Sequence, residues 1–439
     1  MIEYDEAPLR PFHLRVAIAS SGGVFSDGFG LGIIGIALSR AGAQMHLSAV
    51  WLGLLGGASL LGLFAGALLT GPVADRFGRR PIFAHNMLLL GALSVVQSFA
   101  GSAAQLLLLR LAIGFLLGTD YVVSKALLTE FTPRTLRGRA LGSLSIAWAG
   151  GYACAYLVGV LLDRGDPGAW RWTLATSAIP CLLVLPLRLT LPESPLWLAN
   201  GGREEDAARV VRRVLGETVS PPARREVAAI RRGRWRQLLS ARWRGRTAVA
   251  CAFFTCQVIP YFALGTFVSQ VMSALHLRNA HTAGLLYNLA LLLGAVAGLI
   301  TVDRIPRRVF LIGSFYLTAA SLLAVSVVPE LPPLATIGLF ALFAGVLSAA
   351  SNLVYVYLPE LFPTDLRASG IGLAIASSRT GSAFSTFLLP VIVESYGVRT
   401  ALDACVAVLV LGALVCQRWA PETRNVPLSS LDAATTESA

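Results

Sequence analysis

The chain has 439 residues, of which 55% are hydrophobic and only 14% charged, with a mean hydropathy of +0.68. Soluble domains carry about 25% charged residues, so this composition excludes an ordinary globular enzyme. The formal net charge of +12 raises nucleic acid as a partner, but the arginines sit in short segments between long apolar runs, a distribution that points to a membrane instead.

Runs of some 20 apolar residues recur at roughly 14–37, 48–70, 81–100, 104–128, 139–162, 171–191, 247–271, 282–302, 308–328, 333–357, 368–393 and 397–419. Each is long enough to cross a hydrocarbon core of about 30 Å. The predicted fold is an all-α membrane protein with twelve transmembrane helices. The start, "MIEYDEAPLRPFHLR", has mixed charge and runs straight into span 1, unlike a cleavable signal.

Taken in chain order, the first notable residue is Asp27 in "FSDGFGLGIIG" of span 1, because an ionisable group inside a span is costly and hence a functional candidate. After span 2 comes "GPVADRFGRRP". Here Gly71 and Gly78 are expected to permit a tight turn, while Arg76, Arg79 and Arg80 form a basic hinge. Asp75 is expected to pair with a basic residue or cap a helix N-terminus. Span 4 holds Arg110, Asp120 and Lys125. Arg110 and Asp120 are ~15 Å apart along a helix and cannot pair directly. A mid-membrane carboxyl such as Asp120, set between desolvation and a nearby cation, can load and release a proton. Lys125 is long enough to snorkel to the interface. Span 5 offers Trp148, Tyr152 and Tyr156 to a central cavity.

Between spans 6 and 7, residues 199–245 are polar and basic. "GREEDAARVVRRVLG" places Ala207, Val210, Val211 and Val214 on one helical face. With "RRGRWRQLLSARWRGR" it is expected to form an amphipathic linker lying on anionic lipid. In the second half, Gln257 and Tyr261 (span 7), Tyr287 and Asn288 (span 8), and Asn352 and Tyr355 (span 10) are polar candidates near mid-membrane. Arg379 in "SSRTG" of span 11 is suited to a bidentate carboxylate or phosphate. The tail 425–439 is Ser/Thr/Ala-rich and expected to be disordered.

The halves repeat each other. "DRFGRR" at Asp75 returns as "DRIPRR" at Asp303, "EFTPRTLRG" at Glu130 as "ELFPTDLRA" at Glu360, and "PESP" at Pro192 as "PETR" at Pro421, at offsets of 228, 230 and 229 residues. The expected division is an N-terminal six-helix half (1–198), the linker (199–245), a C-terminal six-helix half (246–424) and the tail. Parallel repeats of this kind place a substrate site between them near mid-membrane. Because Arg/Lys follow the even-numbered spans, both termini are expected in the cytoplasm and the chain in the inner (plasma) membrane. The six cysteines form no CxxC pair, no His/Cys cluster has metal spacing and no P-loop is present. No metal, cofactor or ATP use is expected.

Across nearly its whole length the sequence resembles the major facilitator superfamily, whose signature G-x-x-x-D-R-x-G-R-R is matched by Gly71–Arg80. The resemblance implies alternating access, with the hinge as a latch that forms in one state and breaks in the other. "ESPLWL", "PETR" and "RLAIGFLLG" are similar to the sugar-porter branch. "GTDYVVSKALLTEFTPRTLRGR", and "LPELFPTDLRASGIG" with "SSRTG", more closely resemble proton-coupled symporters of phosphate and organic acids. The family pattern would place a span-1 acid at Gly30; Asp27 lies one helical turn earlier on the same face. Arg110 matches the span-4 arginine that, in sugar porters, responds to protonation of that acid. Asp120 matches the acid of the phosphate-type "DY" motif. Span 7 lacks the paired glutamines and downstream Asn of sugar porters, and span 5 lacks the Gly-Pro pair of drug–proton antiporters.

The expected function is proton-coupled uptake of a small organic anion by a monomeric, non-enzymatic transporter, whose partners are solute, protons and the bilayer. Asp120, Asp27 and Arg110 are the candidates for proton coupling. Arg379, Lys125 and the aromatic and amide side chains named above are the candidates for binding. The gate is assigned to the hinge residues, to Asp303, Arg304, Arg307 and Arg308, and to Glu130, Arg137, Glu360 and Arg367. Multidrug or metabolite antiport and a non-transporting nutrient receptor are the alternatives.

Overall fold

The computed structural model describes residues 2–163, 166, 168–222, 234–275, 277, 279–328, 331–362 and 364–424; the tail and residues 223–233 of the linker lie outside them. Among the described residues the architecture is helical, with a single isolated bridge between Ile2 and Val219. The first half contains α1 (Pro11–Gln44), α2 (Ala49–Phe77), α3 (Arg79–Val96), α4 (Ala103–Phe131), α5 (Arg137–Leu162), α6 (Ala169–Ala175) and α7 (Ala178–Leu189). Two short helices follow, α8 (Pro195–Asn200) and α9 (Glu204–Leu215). The second half contains α10 (Arg244–Thr266), α11 (Val268–Ala274), α12 (Ala280–Thr301), α13 (Arg307–Val327), α14 (Pro333–Ser351), α15 (Leu353–Glu360), α16 (Thr364–Tyr396) and α17 (Val398–Trp419).

Among the described residues, eleven helical stretches are long and apolar enough to cross a membrane. The twelfth expected span is α16, whose 33 residues amply exceed the ~20 needed. Its centre carries Ser377, Ser378, Arg379, Thr380 and Ser382, and this polar run keeps it out of the apolar set. The helices suit a bilayer because each satisfies its own backbone N–H and C=O groups. Their boundaries are marked chemically. Ser102 accepts the Gln105 N–H to start α4, and Ser194 accepts the Trp197 N–H to start α8, with Pro195 at its first position.

The chain gathers into two compact units. The first comprises Met1–Ile33, Leu61–Ala155 and Arg171–Ile230; the second comprises Ile34–Leu60, Tyr156–Trp170 and Arg231–Ala439. In the first, α3 packs on α4 and α7, around a core that includes Val16, Phe83, Val123, Leu127 and Leu144. In the second, α13 packs on α14 and α17 in the corresponding way, α10 on α16 and α17, and α12 on α14. Leu68, Leu69 and Leu183 in the first unit, and Leu293, Leu334 and Leu411 in the second, are exposed. Apolar surface of that extent is what lipid-facing helices require.

The linker departs from expectation. Helix α9 does not lay its apolar face on lipid: Ala207, Val211 and Leu215 are buried against the chain itself. Val211 and Leu215 meet Tyr4, Ala7 and Val219, and Ala207 meets Leu198 and Ala199. The chain's own N-terminal residues and α8 thus cover the stripe that the sequence pattern assigns to a membrane surface.

Candidate functional site

A buried ionic cluster lies in the first unit. Arg188, in the last turn of α7, and Asp120, in α4, are both completely buried and form a bidentate pair: Nη1 to Oδ1, and Nη2 to Oδ2 at 3.0 Å. Ser124, one turn along α4, donates to Asp120 Oδ2 at 2.8 Å and accepts from Arg188 Nη2 at 3.1 Å. Arg188 also donates to the carbonyls of Ala19 (3.2 Å) and Phe83 (3.1 Å), and lies 3.8 Å from the Phe83 ring centroid. A Cβ at Gly23 would run into its guanidinium, so α1 approaches the pair at a glycine. Sequence reasoning missed Arg188, which reads as one more basic residue before a loop.

Asp27 sits beside this cluster, 3% exposed, and neither of its carboxylate oxygens has a hydrogen-bond partner. The charges acting on it are Asp120, Arg188 and Lys125. Lys125 Nζ itself lies 3.3 Å from the Tyr121 ring centroid. Arg110 is completely buried, and its Nη2 donates to the Gly30 carbonyl at 3.1 Å. The span-4 arginine therefore reaches the position where the family pattern has its acid and finds backbone there. Space is not the reason: a Cβ at Gly30 would meet only Leu117, at 3.7 Å or more. Ser26, Gly30, Ser94, Gln97 and Arg110 converge at this point, with Leu90 and Ile113, around a gap too tight for a water molecule.

The aromatic and amide candidates divide by role. In the first unit Trp148 stacks on buried Tyr152, with centroids 5.2 Å apart. In the second, Tyr156 Oη lies 2.7 Å from Ser269 Oγ. Gln257 Nε2 donates to Leu347 O (2.9 Å) and Ser351 Oγ (3.1 Å), tying α10 to α14. Asn352 Nδ2 donates to Ala295 O at 3.2 Å, a link to α12. Asn288 Nδ2 bonds back to Gly284 O at 2.8 Å. The amide N–H groups of Gln257 and Asn352 thus hold helices together, while that of Asn288 is spent within its own helix. The carbonyl oxygens of Gln257 and Asn288 are buried without a hydrogen-bond partner. Tyr261 packs on Phe262, Tyr287 on Phe343, and Tyr355 is half-buried in α15. Arg379 is 7% exposed, with its guanidinium 5.8 and 5.9 Å from the ring centroids of Phe254 and Phe262. A cation walled by two apolar rings is well shaped for a carboxylate attached to a partly apolar solute.

The repeated motifs build the same device twice. In the first unit Arg79 pairs with Asp75 (3.2 Å) and Glu130 (3.1 Å), while Glu193 accepts the backbone N–H groups of Arg79 (3.1 Å) and Arg80 (3.1 Å). In the second, Arg307 pairs with Asp303 (3.1 Å) and Glu360 (3.6 Å), while Glu422 accepts the N–H groups of Arg307 and Arg308, each at 3.0 Å. These contacts bear on two expectations. The carboxylates at the helix N-termini are Glu193 and Glu422, from "PESP" and "PETR"; Asp75, exposed near the end of α2, takes the other expected role and pairs with a basic residue, Arg79 at the start of α3. Gly71 makes no turn, because α2 continues through it to Phe77. Gly78, at φ 98°, is the residue that reverses the chain. Arg76 lies over Phe77, and Arg304 accepts Arg424 Nη1 at its carbonyl. Arg137 bonds Asp5 at 3.1 Å, and Arg367 bonds Pro359 O at 3.1 Å, so neither arginine completes the belt with Glu130 or Glu360.

Burial works against the Glu422 carboxylate, but the N–H groups of Arg424, Arg308, Arg307 and Thr423 outweigh it and hold the acid below its ordinary range of about 4.5. An acid with a depressed native pKa contributes stability above its unfolded pKa and loses it as pH falls through the native value. Glu422→Gln is therefore expected to lower the melting temperature at pH 7. The difference from wild type should shrink progressively below about pH 4.5.

At the opposite ends of its helices the second unit contains a seam between the final turns of α1, the first turns of α2, the end of α5, and α10–α12 with α16. Asp163 lies 2.5 Å from Arg40 and 3.5 Å from His281, and Trp170 donates to Gln44 at 2.5 Å. A Cβ at Gly35 would strike the Thr266 carbonyl oxygen, and one at Gly53 the Phe387 carbonyl oxygen. Gly35→Val is expected to part this seam. Thiol labelling of Ser269→Cys, in a background with the six cysteines replaced, should rise clearly above the Gly35 control.

This arrangement of helices is shared with proteins of known structure. The inward-open form of the xylose transporter XylE from E. coli matches with a TM-score of 0.81 at 20% identity, over 96% of this chain and 99% of that one. The proton:xylose symporter XylE with a bound ligand matches at 0.75, with 19% identity over 97% and 99%. In sequence, the inner membrane metabolite transport protein YgcS of Escherichia coli is 40% identical over 97% of this chain and 95% of its own length. The family model for "Sugar (and other) transporter" matches residues 16–434. With its eleven apolar spans and α16 among the described residues, its doubled hinge device and this match over almost its full length, the chain belongs to the sugar (and other) transporter family of the major facilitator superfamily.

Proposed function

We propose that this membrane transporter couples proton entry to uptake of a small organic anion by alternating access. The observation that carries this reading is Asp27, a buried carboxyl with no hydrogen-bond donor, set against the Asp120–Arg188 pair. Such a group can take up a proton, or compete for Arg188 when Asp120 releases it, without any new charge being buried alone. Arg379 between two phenylalanine rings is the anion's counter-charge. The resemblance of the fold to a proton:xylose symporter supports coupling, and YgcS, an inner membrane metabolite transporter by name, supports the location. The basic loops and both termini are assigned to the cytoplasm by their arginines. The Asp163 seam then forms the outer gate.

A second reading, a neutral polyol as substrate, is favoured by the partnerless carbonyl oxygens of Gln257 and Asn288, which can accept solute hydroxyls. The two readings separate in a melting-temperature panel of purified protein against sugar acids, sugars, nucleosides and lipophilic cations, followed by flux in liposomes. Stabilisation by sugar acids such as gluconate, with uptake driven by an inward proton gradient, is the expected result. Stabilisation by neutral sugars alone would establish the polyol reading. Stabilisation by lipophilic cations alone would indicate antiport, and binding without flux a receptor.

A further inference from the structure

The loop between α7 and α8, helix α9, the start of α1 and the α2–α3 hinge border an open cavity of ≈ 990 Å³ within the first unit, apart from the coupling cluster. Six arginines line it, Arg10, Arg15, Arg80, Arg203, Arg209 and Arg213, against only two acids, Glu193 and Asp206. Both acids are already engaged. Arg203 and Arg209 hold Asp206 at 2.8 and 3.1 Å, and Glu193 is occupied by backbone N–H groups. Among the described residues, Arg10, Arg15, Arg80 and Arg213 carry no ion pair, yet three separate segments of chain bring them to one space. Packing enforces this gathering: α9 is held by its buried Ala207, Val211 and Leu215, which leaves Arg209 and Arg213 facing the cavity. Like charges brought together in this way repel, and a multivalent anion relieves the repulsion.

We propose that this cavity binds a phosphate-bearing anion, either the headgroup of an anionic phospholipid or a soluble phosphate compound. Phosphate presents several oxygens and up to two charges to guanidinium groups arriving from different directions, which a single carboxylate cannot do. The rim adds a second feature. Phe77 and Leu189, 62% and 52% exposed, border the same cavity and offer an apolar margin to an acyl chain. Occupancy ties α9 and the start of α1 to the first residues of α3, so the ligand bears directly on the hinge.

The test uses the full-length protein and two probes, inorganic pyrophosphate in detergent and nanodiscs of phosphatidylglycerol compared with phosphatidylcholine, with melting temperature as the readout. Wild type is expected to be stabilised by phosphatidylglycerol over phosphatidylcholine, or by pyrophosphate over sodium chloride at equal ionic strength. The Arg15→Gln/Arg213→Gln variant should weaken the apparent affinity about tenfold or more, from the loss of two charge-assisted contacts. Arg15→Lys/Arg213→Lys should retain most of it, and Arg212→Gln, on the same helix but outside the cavity, all of it. Stabilisation by the lipid alone identifies a headgroup site, and stabilisation by both probes a site open to soluble phosphates. If the double variant elutes as aggregate, Arg10→Gln serves in its place. No stabilisation by either probe, or an equal loss in Arg212→Gln, would overturn the proposal.

Discussion

Arg188→Met is expected to cost about 3–5 kcal/mol of stability, because it strands the fully buried Asp120 carboxylate. The two partners are not equally dependent on each other. Among the described residues, Asp120 receives its hydrogen bonds from Arg188 and Ser124 alone, whereas Arg188 also reaches the carbonyls of Ala19 and Phe83 and the face of the Phe83 ring. Asp120→Asn keeps an oxygen for the guanidinium and leaves those contacts in place, so it should cost distinctly less. The double variant Asp120→Leu/Arg188→Met removes both charges and should recover most of the loss. Thermal melting of the three purified proteins reads this order directly. Equal losses in both single variants, or a double variant worse than Arg188→Met, would show that the pair is not the structural centre of the first unit.

This asymmetry explains which parts of the site the sequence exposes. Long apolar runs and repeated motifs at one offset are local properties, and they are enough to raise the expectation of twelve spans in two similar halves. Asp27, Asp120 and Arg110 stand out for the same reason, since a charge inside an apolar run is visible without a structure. Arg188 does not stand out. It is the penultimate residue of α7, where arginines usually serve topology, and its partner is 68 residues away in sequence. Only the packing of α3 against both α4 and α7 brings the two together. The caps were half visible: "PESP" and "PETR" register as a repeat, but that Glu193 and Glu422 reach back over 110 residues to a helix N-terminus is a tertiary fact. Gly71 misleads because a helix in lipid tolerates glycine and Pro72 better than the turn pattern implies. Asp163, Arg40 and His281 look like scattered loop charges until α1, α5 and α12 converge.

Asp27→Asn is expected to separate exchange from accumulation. The amide is close in size to the acid and cannot ionise, so it mimics the proton-loaded carboxyl permanently. No buried ion loses a hydrogen-bonded partner, since Asp27 has none, and the protein should fold and melt nearly as wild type does. Exchange of solute across the membrane needs no proton release and should survive, while uphill uptake should fall to the level set by solute equilibration. Asp120→Asn offers the contrast: its effect should register first in stability, through the Arg188 pair.

The most direct measurement is proton movement itself. Liposomes containing the purified transporter and an internal pH-sensitive dye receive gluconate, or whichever sugar acid stabilises the protein most, from outside. Such acids are ionised at neutral pH and too polar to cross the bilayer unaided, so any proton that enters does so through the protein. Wild type is expected to acidify the lumen as the anion enters, and Asp27→Asn to exchange labelled anion without acidifying it. An Asp27→Asn protein that acidifies the lumen at the wild-type rate would contradict the assignment of the proton to Asp27.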